Sequence, residues 1–200
     1  MDAALRWTSA DLEVMPDDGK RYEIIDGELY VSKPTQYQHQ LPCTRIVGDL
    51  NDWGLETKLG VAVCGVRVIF AEDDDVIPDA VWISRDRLNR ILGSDGYFHA
   101  APDLAIEVLS PGDAHEKRDR EVKRKLYSRR GVLEYWIINW QVNDITVYRR
   151  KEKALRKHSI FRGSDILTSP LLPGFQCAVK SLFANRVSVG NKFEENGTKG

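Results

Sequence analysis

Two runs, PDLAIEVLSP (102–111) and VLEYWIIN (132–139), are apolar almost throughout, and each reads as a strand. Between them, from about Ala114 to Arg130, lies a charged stretch that reads as a helix ending at Gly131, a C′ glycine. Strand, helix and strand in that order favour a parallel pair joined by a right-handed crossover. The rest of the chain must be arranged around that unit.

Upstream, RYEII and ELYVS flank Asp26-Gly27, the dipeptide that supplies the positive φ angles of a two-residue hairpin turn. Pairing across it puts Tyr22, Ile24, Leu29 and Val31 on one face, expected to be the core face. Glu23, Ile25, Glu28 and Tyr30 fall on the other. A short helix over 8–14 with Thr8 or Ser9 as N-cap precedes the hairpin, and a helix from about residue 42 follows it, with Pro42 in its first turn or at a kink. VAVCGVRVIF (61–70) reads as one central strand, EDDD (72–75) as a turn, and IPDAVWIS (77–84) as a strand antiparallel to the first. A short helix over 85–92 comes next, and after VLEYWIIN the run ITVYRR and a strand near 158–161 finish the sheet as a meander. The expected fold class is therefore α/β (α+β): a central mixed β-sheet flanked by helices, with an N-terminal β-hairpin. One domain over 1–186 and a disordered tail over 187–200 are expected.

Composition excludes several classes. With 42% hydrophobic and 30% charged residues, the chain is neither a disordered polymer nor a helical membrane protein, and its start lacks an export signal, so a soluble cytoplasmic protein without membrane contact is expected. Cys43, Cys64 and Cys177 are odd in number and widely spaced, which argues for small core residues over disulfides or a zinc knuckle. A net charge of −1 excludes bulk electrostatic attachment to nucleic acid but leaves room for a local basic face.

Two acids stand out against this background. Alternation puts Asp79 with Val81 and Ile83, and Glu107 with Asp103, Ala105 and Leu109. A carboxylate in an apolar strand is costly unless paired or bound to a metal, and two on neighbouring strands suit Mg²⁺ or Mn²⁺. Asp103, at a strand start, also fits a turn role. On the following helix, at about 100° per residue, Val122, Leu126 and Tyr127 form an apolar stripe. Lys123 lies about 40° from its centre and leans toward the sheet, and Lys125, about 120° away, leans toward water. The helix also carries Arg118, Arg120, Arg124 and Arg129, which fit either a solvated face or contacts to a phosphate backbone.

Asp79 in IPDAVWIS, Glu107 in APDLAIEVLSP, and Lys123 and Tyr127 in KRKLYSRRGVLEYWIIN resemble the Uma-two family of restriction endonuclease-like proteins, a branch of the PD-(D/E)xK nuclease superfamily. The resemblance takes in MPDDGKRYEIIDGELYVSKP followed by His39, and LLPGFQCAVKSLF, and so covers about 8–184. It implies a restriction endonuclease-like core and hydrolysis of DNA phosphodiester bonds to 5′-phosphate products. Leu109 stands where an E-x-K lysine would, which implies that this branch carries the lysine on the helix, and Asn139 stands where the family usually has Asp.

Together these features point to a metal-dependent DNA endonuclease. Asp79 and Glu107 would hold Mg²⁺ or Mn²⁺, and Lys123 would orient or deprotonate the attacking water. Glu28, with Glu23 and His39 as auxiliaries, would position water or a second metal, and Tyr127 completes the family motif. Arg118, Arg120, Arg124 and Arg129 would contact DNA without reading its sequence. The alternatives are an inactive nuclease-fold module that binds nucleic acid or a protein partner, with Asp79, Glu107 and Lys123 as a buried ion cluster, and a homodimer or larger structural assembly built on exposed aromatics.

Overall fold

The computed structural model describes residues 6–186, and the expected tail over 187–200 lies outside them. Thr8 opens a short helix, α1 (Ser9–Leu12), in which the Asp11 carboxylate accepts hydrogen bonds from the backbone N–H and the hydroxyl of Thr8. The hairpin follows: β1 (Arg21–Ile25) and β2 (Glu28–Ser32) pair antiparallel, with Asp26 and Gly27 both at positive φ. Its faces reverse the expectation. Glu23 and Ile25 point into the protein, whereas Val31, on the apolar face, is 46% exposed, although Ile24 is covered too. Glu23 can go inward because Lys123 meets it there with the opposite charge.

The next helix, α2 (Tyr37–Thr57), begins at 37 rather than 42, with Pro42 inside it. A proline near a helix start deletes one backbone hydrogen bond, and the burial of Cys43, Ile46 and Leu50 along the same helix outweighs that loss. His39 consequently stands on a helix. The run over 61–70 is two strands, because Gly65 takes a positive φ and turns the chain. β3 (Gly60–Cys64) lies at the edge of the main sheet, and β4 (Val68–Ala71) leaves that sheet to pair with β5 (Asp74–Val76). Of the expected EDDD turn only Glu72 and Asp73 turn, while Asp74 and Asp75 are buried strand residues. β5 also pairs with β1, which makes a four-stranded sheet in the order β2-β1-β5-β4. β6 (Ala80–Ser84) is antiparallel to β3 as expected, but the β4–β5 hairpin joins them rather than a tight turn. Asp79 sits just before β6, not within it. Of the cysteines, Cys43 and Cys177 are buried as expected and Cys64 is exposed.

After α3 (Arg85–Ile91) comes β7 (Leu104–Val108). Then α4 (Asp113–Lys117), a π-helical turn (Arg118–Lys123) and α5 (Arg124–Arg130) run on without a break to Gly131, left-handed at φ 98. β8 (Glu134–Asn139) is parallel to β7, and β9 (Asp144–Lys151) and β10 (Ala154–Arg162) complete the meander. The main sheet reads β10-β9-β8-β7-β6-β3, with β7 and β8 its parallel pair. A separate hairpin, β11 (Ile166–Ser169) and β12 (Leu172–Ala178), and α6 (Val179–Phe183) had not been expected.

Alternation along the strands sorts the core into two layers. Trp82, Leu104, Ile106 and Trp136 pack with α2, α6 and the β11–β12 hairpin, and Val81, Ala105, Tyr135 and Ile137 pack with α5 and the smaller sheet. Ala80 pairs with Ile106, so the next position outward sets Asp79 opposite Glu107, on the layer that faces α5.

Two glycines test this packing in different ways. A Cβ on Gly60 would stand 2.3 Å from the Ile83 carbonyl oxygen and 2.5 Å from the Trp82 ring, so Gly60→Ala should cost about 3 kcal/mol. A Cβ on Gly131 would meet nothing within 4 Å, so Gly131→Ala should cost only the left-handed penalty of about 1–2 kcal/mol. Urea midpoints should therefore fall in the order wild type, Gly131→Ala, Gly60→Ala.

Candidate active site

Lys123 is fully buried, and its Nζ lies 2.9 Å from Glu23 Oε1 on the hairpin and 2.9 Å from Glu107 Oε1 on β7. The Tyr127 hydroxyl donates to the same Glu107 oxygen at 2.7 Å, and the Ile77 N–H donates to Glu23 Oε1 at 2.8 Å. Asp79 is held separately. Arg21 Nη1 reaches its Oδ1 at 2.8 Å, while His39 Nε2 lies 3.1 Å from Oδ2, which also accepts the Val108 N–H at 2.9 Å. The π-helical turn directs Asp119 and Lys123 inward together and brings Arg118 Nε to Asp119 Oδ1 at 3.0 Å and Arg118 Nη1 to Ser32 Oγ at 2.9 Å.

The carboxyls of Glu23, Asp79, Glu107 and Asp119 thus face the cations Arg21, Arg118 and Lys123, with His39 beside them. Burial pushes the Glu107 carboxyl up to about 8, with Lys123 opposing and the Asp79 charge adding to the rise. Asp79 goes the other way: burial would raise it, but the His39 hydrogen bond and the charges of His39, Arg21 and Lys123 hold it below the ordinary range. Burial also raises Asp119. Lys123 keeps its charge, since Glu107 and Glu23 outweigh the desolvation that works against it. One member of the Asp79–Glu107 pair is therefore ionised at neutral pH, and the other retains its proton.

Both carboxyls line a cavity of about 370 Å³, together with Arg21, Lys33, His39 and Arg118. Lys123 is not on its wall and stands behind Glu107. Among the described residues no donor bonds Glu107 Oε2, and no group of three or more His, Cys, Asp or Glu closes around a metal position. Two carboxylates on one cavity wall, one with a spare oxygen, fit a hard divalent cation whose remaining ligands are water and phosphate. Such a cation would compete with Arg21 and His39 for Asp79.

Residues 9–180 match the Uma2 family, described as "Putative restriction endonuclease". The chain belongs to the Uma2 family. No curated protein matches it. A solved structure from Anabaena variabilis, described as a "putative nuclease belonging to DUF820", is similar over 88% of this chain and 97% of that one, with a TM-score of 0.72 at 22% identity. That likeness establishes a shared fold.

All the clustered residues lie within the Uma2 match. Asp79, Glu107, Lys123, Tyr127, Glu23 and His39, singled out from the sequence, meet in space. Glu28 does not. It is exposed beside the hairpin turn, its Oε2 taken by the Tyr30 hydroxyl, and Glu23, further from the turn on the same face, holds the inward place instead. The four arginines do not form one row. Arg118 turns into the site, and Arg120 pairs with Glu116. Arg124 donates to the Arg120 and Leu155 carbonyls and lies over the Tyr148 ring, and Arg129 is neutralised by Asp26 and Asp74. Arg21 and Asp119 went unnoticed in the sequence. Arg21 precedes Glu23 by two, so strand alternation already puts it on the same face, and Asp119 precedes Lys123 by four on one helix.

Lys123→Met should destabilise the protein by about 3–5 kcal/mol, since it leaves the Glu23 carboxylate buried without its counter-charge, and adding Glu23→Gln should restore part of the loss in a denaturant titration. The Glu107 proton has its own signature. Because the folded carboxyl titrates at about 8 against an ordinary 4.5, its stabilising share is complete below pH 4.5 and is lost as pH rises through 8. Over that window the wild-type melting temperature should fall more than that of Glu107→Gln, and parallel curves would refute it.

Proposed function

We propose that the protein hydrolyses DNA phosphodiester bonds with Mg²⁺ or Mn²⁺ held by Asp79 and Glu107. The main support is the facing pair itself, one carboxyl just before β6 and one on β7, at the wall of one cavity that also carries Lys33, His39 and Arg118. Membership of the Uma2 family supports the same direction. When bound, the cation would acidify a water and offset charge on the scissile phosphate. The chain's own residues prepare the site. Tyr127 and Lys123 fix the Glu107 carboxyl by two hydrogen bonds to one oxygen and leave the other oxygen free. Glu107 gives up its proton when it becomes a ligand, so cation affinity should rise with pH through about 8. Arg118 and Lys33 face the cavity as donors for phosphate oxygens.

Lys123 takes a different part from the one expected. Its ammonium is dry and shared between Glu23 and Glu107, which supports a positioning role rather than direct work on water. The second reading, a nuclease-fold module that binds without cutting, is favoured by the engagement of both Asp79 oxygens.

In a thermal melt, Mn²⁺ or Mg²⁺ at a hundredfold excess over Kd should stabilise the wild type by about 2.7 kcal/mol and leave Asp79→Asn unmoved. With the same ions the wild type should cut supercoiled plasmid, while Asp79→Asn and Glu107→Gln fall to background. Stabilisation without cleavage of any supercoiled, linear or branched DNA would decide for the binding module.

A further inference from the structure

Arg21 lies between two cavities. In the wall of the carboxylate cavity its Nη1 donates to Asp79 Oδ1 at 2.8 Å and to the Ile77 carbonyl at 3.2 Å. The same side chain lines an adjoining cavity of about 390 Å³, whose other charged lining residues are Lys20 and Lys33. Lys33, Pro34 and Thr35 border both spaces, so the two lie side by side. No acid lines the outer one, a trough where Lys20 is paired with Asp18 and Lys33 has no ion pair among the described residues.

Both Asp79 oxygens already have partners, one on Oδ1 and two on Oδ2, so a cation that joins the less crowded Oδ1 would sit against the Arg21 guanidinium. The Val108 N–H belongs to the backbone of a buried strand and is fixed. His39 is buried on a helix, and among the described residues its Nδ1 has no hydrogen-bond partner. Arg21 alone of the three has a flexible stem, a side chain 26% exposed and open, basic space beside it. A cation on Asp79 would repel the guanidinium, and a polyanion in the trough would draw it outward.

We propose that Arg21 is an exchangeable counter-ion: it occupies Asp79 in the empty site, yields to the divalent cation, and turns into the Lys20–Lys33 trough to hold a phosphate of the nucleic-acid strand. This rests on Asp79 and Glu107 being the cation ligands. It makes cation and DNA binding mutually reinforcing, each raising affinity for the other by the same factor. It also moves the DNA path from the arginines of the helix to the trough.

Arg21→Met, which keeps an apolar stem and removes the charge, separates exchange from a fixed structural pair. In thermal-shift titrations with Mn²⁺ alone, its midpoint should fall about tenfold below wild type, the equivalent of ~1.4 kcal/mol. Arg21→Gln, which keeps a neutral donor near Asp79, should move the same way by less and serves if the methionine variant does not fold. By anisotropy with a fluorescein-labelled phosphorothioate DNA duplex at constant ionic strength, Mn²⁺ should strengthen wild-type binding about fivefold or more over EDTA and strengthen that of Arg21→Met by clearly less. A variant midpoint equal to or above wild type, or DNA binding that Mn²⁺ strengthens equally in both, would overturn the exchange and leave the cation site standing. A wild type that ignores Mn²⁺, or an Asp79→Asn variant that responds as wild type does, would remove the cation site and the exchange together. Neither readout depends on cleavage.

Discussion

An ammonium group sealed from water must find its counter-charge and its hydrogen-bond acceptors inside the protein, and Lys123 finds Glu23 on the smaller sheet and an oxygen of Glu107 on the main one. Taking such ions out of water costs several kcal/mol each, and the cost is met only when every partner is well placed and hydrogen-bonded. The surrounding architecture follows from that demand. The hairpin presents its carboxylate face inward, the helix carries a π-helical turn where Asp119 and Lys123 point to the sheet, and Tyr127 adds its hydroxyl to Glu107 one turn later. Three separately formed elements are thereby held in one register.

Around this ion bridge, environment separates two carboxyls of similar chemistry. Asp79 meets His39, Arg21 and a backbone N–H and stays ionised, whereas Glu107, deeper and crowded by other acids, keeps a proton to about pH 8. Such a pair is charged on one side and chargeable on the other, and a divalent cation would complete the change by displacing a proton from one member and a guanidinium from the other. The arginines at the end of the helix belong to a different task. Arg129 and Arg130 both grip Asp74, tying the end of α5 to the smaller sheet.

How much was legible follows from the range of each signal. Asp26-Gly27 announced its turn because positive φ angles at two consecutive residues are a local requirement, and the β7–helix–β8 unit was legible because a strand, a helix and a strand determine their own connection. The run over 61–70 misled because apolar content is the same in one long strand and in two short strands of different sheets, and Gly65 decides between them only through its φ. Glu28 lies outside the cluster and Glu23 within it because alternation names a face and not how far along it the partner lies. The arginines were grouped by composition, whereas a helix sends successive residues to different sides.

By itself, then, the sequence determined several elements and some of their facing: the hairpin turn, the parallel pair, the sides of their strands on which Asp79 and Glu107 lie, and the inward lean of Lys123, but not which face of the hairpin turns inward. Those properties depend on φ preferences and on periods of two and 3.6 residues, which are written in consecutive positions. Only the tertiary structure decided which charges would be paired. Arg21 lies 58 residues from Asp79 and Glu23 lies 100 from Lys123, and no local period encodes such a meeting. It is set by the packing of one sheet on another, where each buried charge must be matched by whatever the opposite element presents.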